Sequence, residues 1–194
     1  TACARAAARV LAEGQLASAR VGVVGGDDLL DRIDALQDAG CEFPHLDTGQ
    51  PLAALEQSVV SANAYLGARP LVEALAAEAR VLITGRVADA SLTVAPAIHA
   101  FGWSFDGYDA LAAASVAGHL IECGAQVTGG FYTHWDELDL AAVGYPIAEL
   151  SGDGSCLITK PDGSGGVVNR MTVCEQLVYE IGDPRHYLTP DVDV

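Results

Sequence analysis

Aromatic side chains are scarce in this 194-residue sequence, at 6%, and basic ones are few, with 10 Lys and Arg against 26 Asp and Glu. The resulting formal charge of −16 repels phosphate backbones and anionic lipid, which argues against a nucleic-acid partner and against membrane attachment. No apolar run approaches the roughly 18 residues that cross a bilayer. No cationic segment followed by an apolar stretch opens the chain in the manner of a secretory signal. The five cysteines, Cys3, Cys41, Cys123, Cys156 and Cys174, are odd in number and widely spaced, with no C-x-x-C pair. That pattern opposes a disulfide framework and a structural zinc site. Their small or apolar sequence neighbours predict buried, reduced thiols and hence a cytoplasmic location. Gly22 to Gly26 does not complete G-x-G-x-x-G, and there is no G-x-S-x-G elbow, so this stretch carries neither a nicotinamide fingerprint nor the common serine-hydrolase signature.

What is present is a chain that can bury a core. Apolar residues make up 51% and charged residues 19%, which excludes disorder. Ala, Val and Leu dominate the apolar set, a mixture suited to helices packed closely on a parallel sheet. The length fits a single α/β domain. The chain starts at Thr1, its only methionine is Met171, and it stops at Val194 without a terminating signal, so the domain is expected to be truncated at both ends.

The punctuation along the chain gives the order of elements. Ala4 to Leu16 reads as a helix, Val21 to Val24 as a strand, and Asp27 or Asp28 as the cap of a helix whose apolar face is Leu29, Ile33 and Leu36. Residues 40–56 are irregular. A second strand is expected from Val59 toward Tyr65, then a helix from Leu71 to Ala79 and the clearest strand, Val81 to Thr84. Helices follow over about Asp89 to Ala100 and Asp106 to Cys123. Past Gly129-Gly130 the rhythm changes. Ala148 to Leu150 and Cys156 to Lys160 read as strands joined by Ser151-Gly-Asp-Gly154, a hairpin-type turn. Thr172-x-x-Glu175 has the form of a capping box opening a helix to Ile181. The expected fold is α/β, with an open, mainly parallel sheet, helices on both faces, and an antiparallel addition after about residue 130.

Three groups of residues carry possible chemistry. Thr84-Gly85-Arg86 with Asp89 follows the best strand, and ligands of open parallel sheets bind beyond such carboxyl ends. Arg86 offers a fork for a carboxylate or phosphate; the plainer alternative is that Asp89 is an N-cap with Arg86 as its ion pair. Ser115, His119, Glu122 and Gln126 share one helical stripe. There His119 and Glu122 could form an acid–base pair or contribute to a metal site whose other ligands the sequence does not identify; an ordinary helix face gives the same spacing. Lys160-Pro-Asp-Gly-Ser-Gly-Gly166 could cradle an anion with its amides and Lys160, or simply be a turn.

Several blocks taken together resemble the acyclic terpene utilisation protein family. They are Val59 to Gly67, Ile83 to Leu92, Ala117 to Gly130, Thr159-Lys-Pro161, Tyr179 to Pro184 and Tyr187-Leu-Thr-Pro-Asp191, in that order along the chain. The resemblance implies a longer protein with a bacterial catabolic role, the breakdown of citronellol- and geraniol-type isoprenoids through acyl-CoA intermediates. It names no cofactor and carries over no catalytic residue. On this basis the expected protein is an enzyme or enzyme subunit, assembled as a homo-oligomer, acting on an isoprenoid acyl-CoA or related carboxylate. Arg86 and Lys160 would hold the anion, His119 and Glu122 would handle protons, and Arg86, Asp89 and Thr128-Gly129-Gly130 would line one crevice. The alternatives are a non-catalytic partner of a pathway enzyme such as an acyl-CoA carboxylase, and a metal-dependent hydro-lyase on small acids.

Overall fold

A computed structural model describes residues 1–56, 58–183 and 185–194; Pro184, which ends one of the resemblance blocks, lies outside them. Helix α1 (Ala2–Glu13) is capped by the Thr1 hydroxyl, which accepts from the Ala4 amide. Strand β1 (Arg20–Val24) leads into a 3-10 turn and the short α2 (Ile33–Asp38). The Asp28 carboxylate accepts from the Leu30 amide at 3.0 Å, but the caps of the turn and of α2 are Leu29 and Arg32, neither of which makes a side-chain cap bond. Helix α3 (Arg69–Ala76) carries Pro70 in its first turn, where a missing N–H costs nothing. Strand β2 (Ala79–Thr84), α4 (Ser91–Phe101) and α5 (Tyr108–Glu122) follow, close to their expected positions.

The fold class is α/β, with small sheets. Strand β1 pairs with β2 in parallel, Val21 to Val24 lying opposite Val81 to Thr84. Residues 59–65, expected as a further strand, form none. They cross the turns that follow β1 and β2 instead: Ala64 N–H donates to the Asp27 carbonyl, Leu29 N–H to Ala62, and Leu66 N–H to Arg86. Val60 is 86% exposed and Val59 only half-buried, so the apolar pair that looked like a strand start stays out of the core.

The antiparallel addition is present. Strand β3 (Ile147–Leu150) pairs with β4 (Cys156–Thr159) in register Ile147 to Thr159. The last helix, α6 (Arg170–Val178), starts earlier than its sequence signal and stops short of Ile181. Its cap is Asn169, whose side chain accepts from the Met171 and Thr172 amides, while the Thr172 hydroxyl answers the Asn169 amide. Glu175 therefore takes no part in the capping box; its carboxylate receives the Thr133 hydroxyl and amide.

The core lies where α3, α4 and α5 meet the ends of the parallel strands. Leu71, Val94, Ala95, Ile98, Leu111 and Ala114 are buried there with Val24, Val87 and the distant Val192. Each large aliphatic side chain in that set contributes about 1.5–3 kcal/mol through burial. The segment near Val192 is held by the Thr189 hydroxyl, which accepts from the Asp191 and Val192 amides, and by Asp191, which reaches back to α3 and α4. No helix among the described residues is long and apolar enough to cross a membrane. All five cysteines are free thiols, but only Cys123 is even partly buried and the other four are exposed, contrary to the expectation of buried thiols. Their apolar neighbours in sequence do not surround them in space.

Candidate functional site

Two concave places hold residues singled out in the sequence. The first is a depression of about 370 Å³ at the carboxyl ends of β1 and β2, lined by Asp27, Asn63, Thr84, Gly85, Arg86, Val87, Asp89 and Leu92. Asp27 organises it. Its carboxylate is 9% exposed, and Oδ2 accepts from the Arg86 amide at 2.7 Å and from the Asn63 side-chain amide at 3.0 Å. The Arg86 amide is the main influence holding the Asp27 carboxyl below its ordinary titration range, against the opposing effect of burial. Gly85 is required by this arrangement, because a Cβ there would sit 1.8 Å from Asp27 Oδ1. The Arg86 side chain lies over the Tyr65 ring, its guanidinium carbon 5.3 Å from the centroid. Asp89 is exposed and caps nothing.

The second place is a clasp between α5 and α6 beside an apolar cavity. His119 is 3% exposed. Its Nδ1 lies 3.2 Å from Glu122 Oε1, and its Nε2 lies 2.9 Å from the Gln176 carbonyl oxygen. Gln176 returns a bond from its side-chain amide to the His119 carbonyl at 3.0 Å, and Gln126 donates to Gln176 Oε1 at 3.2 Å. Both ring nitrogens thus face acceptors, which only the doubly protonated imidazolium satisfies. The hydrogen bond to Glu122 raises the His119 pKa above its ordinary 6.5, against the opposing pull of burial. Ser115 Oγ and Glu122 Oε2 are buried with no partner among the described residues.

The cavity on the far side of His119 has a volume of about 440 Å³ and is walled by Val116, Leu177, Val178, Ile181, Tyr187 and Val194. Its polar groups are the imidazole and the Tyr187 phenol, whose rings lie 5.3 Å apart. Burial raises the Tyr187 pKa, with smaller contributions from the charges of Glu122, Asp89 and Glu180. Asp89 therefore lines the first depression and is also close enough for its charge to act on the second.

The other residues singled out in the sequence sit elsewhere. Thr128 and Gly129 are buried, and the Thr128–Gly130 run is absent from the lining of the Arg86–Asp89 depression. The Thr128 hydroxyl is spent on the carbonyls of Gly144 and Ala125. The glycine-rich loop after Lys160 turns at Asp162–Gly163, where the Ser164 amide donates to the Pro161 carbonyl, and its later amides are taken up by the chain. Its Gly165, Gly166 and Val167 amides donate to the carbonyls of Ala142, Val143 and Thr128. A Cβ at Gly166 would lie 2.3 Å from the Thr128 carbonyl oxygen and 2.4 Å from that of Val143, so the glycine permits backbone to pack on backbone. Lys160 is bonded to its own loop, with Nζ 3.0 Å from both the Ser164 carbonyl and hydroxyl.

Sequence reasoning missed Asp27, Asn63, Gln176 and Tyr187. Asp27 had a signal: an acid placed after Gly25-Gly26 at a strand's carboxyl end. The others are joined to their partners by long-range contacts and leave no local pattern. No curated protein matches the chain, and no solved structure does. The family model described as acyclic terpene utilisation family protein AtuA matches residues 1–194, the whole of the sequence. The chain belongs to the acyclic terpene utilisation family.

Proposed function

We propose that this chain forms the substrate-binding part of an enzyme of isoprenoid catabolism, acting on an acyl-CoA or free carboxylate that bears a branched hydrocarbon chain. The observation that carries the reading is the cavity between α5, α6 and the C-terminal segment. It is walled by Val116, Leu177, Val178, Ile181 and Val194 and has His119 and Tyr187 as its polar groups. Its volume of about 440 Å³ falls within the roughly 300–1,000 Å³ usual for small-molecule sites. Each CH₂ group buried there contributes about 0.8 kcal/mol. His119 stands in the cavity wall with Glu122 Oε1 3.2 Å from its Nδ1, so the wall residue has a proton partner beside it. Of the cations expected to take the anionic group, Lys160 is bonded to Ser164 and would first have to leave it, and Arg86 lines the other depression and not this cavity. The same reading includes a homo-oligomer, because α1 buries none of its side chains and Val10 is 63% exposed; sedimentation of the whole protein as a monomer would remove that part.

One observation favours a second reading, a binding partner without turnover. Both nitrogens of His119 are already engaged, so the pair can serve as a brace alone. No group of three or more His, Cys, Asp and Glu side chains converges among the described residues, so a metal-dependent hydro-lyase finds no ligand set in them. Calorimetric titration with geranic and citronellic acids tests the cavity. Val116→Trp should fill it and weaken binding at least about tenfold with little change in thermal midpoint. Equal affinity in the variant would exclude this cavity as the site. Turnover of geranyl-type thioesters by the whole protein then separates the enzyme from the non-catalytic partner.

A further inference from the structure

We infer that the depression at the carboxyl ends of β1 and β2 is a separate ligand site, for a small anion carrying a neighbouring hydroxyl group. Arg86 would hold the anionic group and Asp27 Oδ1 would accept from the hydroxyl. The inference does not depend on the apolar cavity.

The asymmetry of the Asp27 carboxylate is the first argument. Oδ2 takes both available donors, the Arg86 amide and the Asn63 side chain, whereas no donor among the described residues bonds to Oδ1. Oδ1 opens to the depression, where water meets it in the free protein and a ligand hydroxyl can take the water's place. Gly85 shows that the position is built: any side chain there would displace the carboxylate.

Arg86 is the second argument. Its amide fixes Asp27 while its guanidinium extends over Tyr65. No carboxylate among the described residues lies within ion-pair distance of that guanidinium. An arginine stacked on an aromatic ring with its fork unpaired is pre-ordered for a planar or tetrahedral oxyanion. Charge then narrows the ligand. A bare anion meets repulsion from Asp27 and Asp89, and a bare cation meets Arg86. A ligand with an anionic group beside a hydroxyl satisfies Arg86 and Asp27 together. Hydroxy-carboxylates and sugar phosphates share this chemistry.

Titration of the whole protein with paired probes tests the assignment: 3-hydroxybutyrate against butyrate, and ribose 5-phosphate against inorganic phosphate. At least one hydroxylated probe should bind about tenfold or more tightly than its partner, and the responding pair tells whether the anion is a carboxylate or a phosphate. Arg86→Gln, a change at an exposed side chain, should abolish binding while leaving the thermal midpoint unchanged. Asp27→Asn should erase the preference for the hydroxyl. The site is overturned if neither hydroxylated probe outbinds its partner, if Arg86→Gln binds like the wild type, if a folded Asp27→Asn keeps the preference, or if magnesium alone binds there and these anions do not.

Discussion

Replacing Asp191 by Ala is expected to lower the free energy of unfolding by about 3–4 kcal/mol. The carboxylate accepts from the Ala68 amide with both oxygens, at 2.8 and 3.0 Å, and from the Ser91 hydroxyl at 2.8 Å. One side chain near the end of the chain therefore holds the entrance of α3 and the first residue of α4, across separations of 123 and 100 residues. Ala68 and Ser91 are at most 1% exposed, so water cannot replace the lost acceptor, and two buried donors would be stranded. Hydrogen bonds to a charged group contribute about 1.5–3 kcal/mol each, and a stranded donor costs a similar amount. Val192, the next residue, would also lose its anchor in the core. In a chain of this length the loss corresponds to a fall in thermal midpoint of roughly 6–15 °C. Asp193→Ala is the comparison. Among the described residues that carboxylate pairs only with His186 at 3.3 Å, with both side chains at least half exposed, and such pairs contribute roughly 0–1 kcal/mol. Chemical denaturation of both variants gives the answer. If Asp191→Ala costs no more than Asp193→Ala, the brace is not what holds the C-terminal segment.

The Asp191 brace also shows what was legible in the sequence and what was not. Helices α3, α4 and α5 and strand β2 follow from apolar periodicity and from Pro and Gly at their ends, because those signals are local. The β3–β4 pair follows from a turn sequence between two short apolar runs for the same reason. Residues 59–65 failed as a strand because β propensity describes a half-buried surface, and this segment has only turns to lie against. The capping box was displaced because Asn169, three residues before Thr172, starts the helix a turn earlier by accepting from the Met171 and Thr172 amides. At the candidate sites, the spacing of His119 and Glu122 put them on one helix face, and the structure places them 3.2 Å apart. Their third partner, Gln176, is 57 residues away and approaches through its main-chain carbonyl, which any residue type would supply. Asp27 was assigned to a cap because an acid before a helical pattern is usually one. Neither Asp27 nor Asp28 caps a helix: Asp28 accepts locally from the Leu30 amide, and Asp27 faces the depression.

His119→Gln should reveal whether the clasp is charged, and the pH dependence of the loss carries the answer. In the folded chain Nδ1 faces Glu122 Oε1 and Nε2 faces the Gln176 carbonyl, an arrangement complete only with both protons on the ring. The His119 pKa is raised above 6.5 chiefly by the hydrogen bond to Glu122. Between the unfolded and the folded pKa the native state therefore binds more protons than the unfolded one, so stability falls as pH rises through that interval. The contribution is complete below about pH 6.5 and is lost as pH climbs through the folded value. Breaking a buried charged pair costs about 3 kcal/mol, and the wild type should exceed His119→Gln by that amount near pH 6. The gap should narrow steadily as pH is raised above 6.5 and through the folded value. A constant gap across this range would mean the ring is neutral throughout and the clasp uncharged. Turnover supplies a second, separate reading at pH values and temperatures where the variant is folded. If His119 transfers a proton to a thioester substrate, turnover should drop by about 100-fold or more while geranic acid still binds. If the pair is only a brace between α5 and α6, the folded variant should turn over as fast as the wild type, with its loss confined to stability.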